Sequence, residues 1–170
     1  MARVRSISPA PPDAFLVIDG RKWRRSDPNI PPALRQELVN ELMAARRAVG
    51  AATSEPRRNA ARRRVNDAKV ALGERDRAWW LDVSAVDLEA RIAAAIRTLL
   101  RSRRDGPIRP SEPARIVDGL AWRRRLTAVR EQAQRMAASG ELTILKRGIP
   151  VQGAAAAQGV LRYRLAARDA

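Results

Sequence analysis

One stretch constrains this chain more than any other: Trp122 through Arg147. Trp122, Leu126, Val129, Ala133 and Met136 recur at helical spacing and would share one dry face of a long helix, expected over about residues 121–139. Arg123, Arg124, Thr127, Glu131, Gln134 and Arg135 fall opposite or beside that face. Gly140 stands where a helix ends in a left-handed residue. Residues 141–146 then read as a strand running into the basic turn Lys146-Arg147. A rod with a buried side, a cationic side and a β-ribbon behind it matches the working end of a winged helix-turn-helix.

The flanking residues supply the remaining parts in order. Ser84-Ala85-Val86-Asp87 resembles a capping box with Asp in its last place. Leu88, Ile92, Ala95, Ile96 and Leu99 predict a helix over about residues 86–102. Arg103-Arg104-Asp105-Gly106-Pro107 breaks it, and Ile108 can supply a short strand. A second, short helix is expected from Ser111 as N-cap to about Val117, then a turn at Asp118-Gly119-Leu120. After the third helix and its strand, residues 147–159 form the wing. Residues 160–165 return as a strand with Leu161 and Tyr163 alternating against Arg162 and Arg164.

The first half reads differently. Pro9, Pro11 and Pro12 leave little to bury, so residues 1–13 are expected to be a flexible arm. Phe15-Leu16-Val17-Ile18 and Arg21-Lys22-Trp23-Arg24 flank Asp19-Gly20, a strong two-residue hairpin turn. Trp23 is either a stacking platform on a basic ribbon or an aromatic packed against the helices that follow. Leu34, Leu38, Leu42, Ala45 and Val49 predict a helix over residues 33–49. Thr53 or Ser54 can cap the next, over about residues 56–74, whose inner stripe is Ala61, Val65, Ala68 and Leu72. A short link folds the two antiparallel. That stripe is small, so the pair needs the hairpin, Trp79-Trp80 or a partner to complete its burial. Arg62, Arg63 and Arg64 could track phosphates, or could be a solvated face balanced by Glu37 and Glu41. Of Trp79 and Trp80, one could be an exposed interaction hot spot, or both could be tucked at the module junction. The expected organisation is an arm over 1–13, a β-hairpin plus helical hairpin over 14–81, and a winged helix-turn-helix over 82–168. The class is mainly α with small β-hairpins, α+β.

Charge narrows function. The 170 residues carry 34 Lys+Arg against 18 Asp+Glu, a formal charge of +16, and nearly all of the cations are arginine. Guanidinium forks pair bidentately with phosphate and guanine, so nucleic acid is the simplest partner. Cysteine and histidine are both absent. That excludes disulfides, Cys/His zinc sites, thiolate nucleophiles and the Ser-His-Asp triad. No Gly-rich phosphate loop is present, and neither an enzyme nor a cofactor is expected. No apolar run approaches the ~18 residues of a membrane span. The first residues lack the apolar core of a signal peptide, so a cytoplasmic protein is expected.

The expected function is double-stranded DNA binding, as a transcriptional regulator or nucleoid-associated protein. Arg123, Arg124 and Thr127 would meet base edges. Gln134, Arg135, Lys146 and Arg147 would meet phosphate, as would the amide groups near Ser111. Arg62 and Arg63 are further phosphate candidates, and Trp79 and Trp80 are candidate partner contacts. RNA or ribosome association, and a protein-interaction adaptor, are the alternatives. The first module could also mediate self-association.

The second half resembles an uncharacterised bacterial family of short winged-helix proteins. The resemblance is carried by Arg109-Pro110-Ser111-Glu112, Trp122 with Val129-Arg130 and Ala133, and Gly140 with Leu142. It continues through Lys146-Arg147-Gly148 with Val151, then Gly159 with Leu161-Arg162, and covers roughly residues 88–165. Pro113 and Gln152-Gly153 depart from the pattern. The resemblance implies the fold and brings no activity with it. The first half is similar to small uncharacterised bacterial proteins through Ile18-Asp19-Gly20-Arg21, Trp23, Ile30-Pro31, Leu34-Arg35, Leu38-Val39 and residues 41–49.

Overall fold

The computed structural model describes residues 9–104 and 106–166. Most of the expected arm, residues 1–8, and the last two residues of the expected winged-helix domain, 167 and 168, lie outside that range. Strands β1 (Phe15–Ile18) and β2 (Arg21–Arg24) pair antiparallel. Asp19 and Gly20 both take positive φ, 49° and 72°, the geometry that an Asp-Gly turn supplies with least strain. Strand alternation places Phe15, Val17, Lys22 and Arg24 on one face of the ribbon and Leu16, Ile18, Arg21 and Trp23 on the other.

Helices α1 (Pro32–Gly50) and α2 (Glu55–Ala71) follow. α2 ends earlier than its periodicity predicts. Gly73 reverses the chain at φ 77°, and a Cβ there would lie 3.2 Å from Trp79, so the close approach needs glycine. Glu37 and Glu41 do not jointly balance the α2 arginines. Arg64 bonds Glu41 at 2.7 Å, whereas Glu37 accepts from Arg103 on the next helix at 2.8 Å.

Helix α3 (Ala85–Arg103) opens with the expected cap, the Ser84 hydroxyl accepting from the Asp87 amide at 3.1 Å. α4 (Ser111–Asp118), α5 (Leu126–Ala138), β3 (Leu142–Lys146), β4 (Ile149–Pro150) and β5 (Leu161–Leu165) complete the chain. The second sheet runs β4-β3-β5, and Ile108 adds a single bridge to Tyr163 on β5. Helix, bridge, helix, helix and ribbon thus follow in the winged-helix order.

Two local expectations are corrected. Ser111 is the first helical residue and makes no capping bond; Pro110 takes the N-cap position, and the Glu112 carboxylate accepts from the Arg109 amide instead. The third helix does not begin as an α-helix at residue 121. Residues Gly119–Arg125 form a 3-10 helix, and α5 starts at Leu126. Asp118 holds both Arg124 and Arg125 (2.8 and 2.7 Å), which ties this tighter turn back onto the end of α4.

The buried cluster is continuous from Ile30 to Tyr163. α3 is its centre, with Ile92, Ala95, Ile96 and Leu99 fully buried. It packs on α1 and α2 and also on α4 and α5. The small-residue stripe of α2 is therefore completed by α3. A buried ion pair seals the junction: Arg91 of α3 donates to Asp27 at 2.9 Å and also reaches the carbonyls of Ala71 and Ile116. Asp27 in turn accepts from the Asn29 amide. No helix among the described residues is long and apolar enough to cross a membrane.

Candidate nucleic-acid interface

α5 buries Val129, Ala133 and Met136 against the core, as its spacing requires. Thr127, Glu131, Gln134 and Ala138 lie along the opposite ridge. Thr127, Glu131 and Ala138 are exposed and Gln134 is half-buried. The ridge carries one acid and no cation, so the positive charge sits around it.

At the N-terminal end the 3-10 helix presents Arg123, Arg124 and Arg125. The Arg123 guanidinium lies 4.7 Å from the Trp122 ring centroid, and Arg115 lies 5.0 Å from the same ring. Arg124 is exposed yet engaged with Asp118. Hydrogen bonds from Arg124 and then Arg125 hold the Asp118 carboxyl below the usual carboxylate range, against a partial burial that opposes them. The three arginines thus differ: one lies on an aromatic ring and two share one carboxylate.

The wing adds two cations. Arg147 and Gly148 form the β3–β4 turn with φ of 54° and 82°, which lifts Arg147 into solvent. Lys146 is half-buried and lies against Gly159, where a Cβ would come within 3.1 Å of its Cε. Arg130 flanks the ridge toward the ribbon, near enough to β5 that its charge partly offsets the burial that raises the Tyr163 phenol pKa.

The remaining candidates are dispersed. Arg135 leans to the α3 side, bonding Gln132 at 2.6 Å and pairing with Glu89 at 3.3 Å. Arg62 pairs with Glu55 on its own helix, Arg63 is exposed, and α2 packs chiefly on α1 and α3. Ser111 is half-buried at the start of α4. Trp79 and Trp80 are both half-buried and contact each other edge-to-face at 5.0 Å. Trp80 meets Phe15 and Trp79 donates to the Arg25 carbonyl, so the pair anchors the hairpin. Trp23 takes the opposite position: the residue is 42% exposed, with the Lys69 ammonium 5.1 Å from its ring centroid.

Sequence reasoning passed over Arg125, Arg130 and Lys69. Arg125 stands in the Arg123-Arg124-Arg125 run, and Arg130 is three residues beyond Thr127, so both carried a signal. The Lys69–Trp23 contact joins residues far apart in the chain and carried none.

No curated protein matches the chain. Over residues 89–166, from within α3 to just past β5, the chain matches the family described as protein of unknown function (DUF3253).

Proposed function

We propose that this protein binds nucleic acid, with double-stranded DNA as its principal target, through α5 and the β3–β4 turn. The observation that carries the reading is the placement of exposed cations on both sides of an open helix ridge: Arg123 and Arg124 before it, Arg147 on the wing. In the winged-helix mode α5 enters the major groove and the wing lies along the adjacent backbone. Thr127 and Gln134 would then face base edges, while Arg123, Lys146 and Arg147 would neutralise phosphates. Arg124 would join them only as phosphate displaces Asp118 from its guanidinium. Arg135, paired toward α3, would contribute little.

The test is duplex binding by fluorescence anisotropy. Arg123→Ala and Arg147→Ala should each weaken affinity across all sequences, whereas Thr127→Ala should narrow the difference between preferred and random duplexes. Unchanged affinity in all three variants would remove the reading. A protein-docking role is the second reading. It is favoured by Glu131 on the ridge and by Leu120, 99% exposed just before Trp122. It predicts binding that hardly responds to salt and no affinity for duplex DNA or RNA.

A further inference from the structure

A second cationic surface lies on the other half of the molecule. Between the β1–β2 ribbon and the α1–α2 hairpin is an open cavity of about 720 Å³. The ribbon contributes the Leu16, Ile18, Arg21 and Trp23 face, opposite the face that Phe15 seats on Trp80. α1 contributes Arg35 and Arg46, and α2 contributes Lys69. Arg21, Arg25, Arg35, Arg46 and Lys69 all line it, and none forms an ion pair with an acid among the described residues.

Asp13, Asp19 and Glu74 are the acids on the rim, and Glu74 already accepts from the Ser26 hydroxyl at 2.9 Å. Burial lowers the Lys69 ammonium pKa; Arg46 and Arg75 push the same way and Glu74 opposes them. Unpaired like charges gathered in a hollow repel one another until an anion enters. The other needed feature is the aromatic. Trp23 is held by strand pairing to Leu16, leaves 42% of its surface open, and sits beside the Lys69 ammonium.

We propose that this groove binds an unpaired stretch of nucleic acid, one base stacking on Trp23 and the flanking phosphates meeting Lys69, Arg46 and Arg35. An aromatic platform beside a cationic track is the arrangement that holds single strands. A duplex does not fit it, because paired bases present their faces only at helix ends. The groove and α5 lie on different elements, so the protein would hold paired and unpaired strands at separate places.

The experiment uses the full chain and labelled thymidine and uridine oligonucleotides, with a duplex as third probe, by anisotropy at moderate salt. Trp23→Ala should weaken oligonucleotide binding about tenfold or more, the worth of one stacked base. Trp23→Phe should stay within about threefold of the parent. Lys69→Gln should lower the salt slope by about one. Thermal melts of each variant that match the parent tie these losses to the groove. A preference for either sugar supports the proposal and identifies the strand. Duplex affinity should not move in the Trp23 variants and should fall in Arg147→Ala, so this groove and the α5 surface can fail independently. Oligonucleotide binding that is absent in the parent, or unchanged in Trp23→Ala, overturns the proposal.

Discussion

Two arginines share the Asp118 carboxylate, and a third, Arg123, lies on the Trp122 ring. A carboxylate in that position competes with phosphate for the same guanidinium groups. Asp118→Asn should therefore raise duplex affinity several-fold at low salt, by removing one repulsive charge and releasing Arg124 and Arg125. Titration by anisotropy would show it, and a weaker complex would contradict the assignment of these arginines. Asp27 and Arg91 set a different problem. They are 64 positions apart and both nearly buried, at 5% and 11% side-chain exposure. Removing one partner strands the other charge, so Asp27→Ala should cost about 3–5 kcal/mol in urea unfolding. A loss below about 1 kcal/mol would mean that the junction relaxes. Neither residue looked exceptional in the sequence, because its meaning depends on a partner that only folding brings near. The same holds for Trp23: its type suggested packing, yet its exposure is decided by which face of the ribbon Trp80 covers.

At the level of elements, much was legible. Asp19-Gly20 specified its turn, Ser84 and Asp87 specified the start of α3, and the apolar spacing of α1, α3 and α5 specified their inner faces. Ser84→Ala should cost about 1 kcal/mol, the usual worth of an N-cap, in thermal or urea unfolding. What periodicity could not resolve was the 3-10 segment Gly119–Arg125, because side chains three apart lie together in both helix types. Its cause is local. Gly119 sits at φ 47° and ψ −120°, and a Cβ there would come within 2.9 Å of the Asn29 carbonyl oxygen. Gly119→Ala should thus cost at least about 1–3 kcal/mol, from backbone strain and the clash together. It should also disturb Arg123 and Arg124, weakening duplex binding beyond what lost stability explains. A stable, fully binding Gly119→Ala variant would show that this geometry is not needed. At Ser111 the sequence signal was real but displaced by one residue: Pro110 took the cap position, and Glu112 bonded the free amide of Arg109.

For the whole molecule, α3 joins what the sequence divided into two modules, and its burial against α1, α2, α4 and α5 makes a continuous core. One cooperative unfolding transition is expected. The complete lack of histidine gives a plain pH profile. Hydrogen bonds from Arg97 depress the Glu141 pKa, and those from Arg124 depress that of Asp118. Depressed carboxylates mean that the unfolded chain binds more protons below about pH 4, so stability is full above that range and falls as acid protonates the folded pairs. The Tyr163 phenol is raised by burial, so a loss should also appear as pH climbs above about 10. Between about pH 5 and 8 the unfolding free energy should be flat, and a clear step there would contradict these assignments. The excess of +16 acts at this scale too, since it draws any polyanion without naming one. The most direct test is therefore the salt dependence of duplex DNA affinity, compared between the parent and a variant with Arg123, Lys146 and Arg147 all changed to Ala. If the α5 surface covers roughly six phosphates, log affinity should fall with log salt at a slope of about −5, and the triple variant should flatten it by about two to three. A slope near zero, or one that the triple variant leaves intact, would contradict DNA binding through this surface.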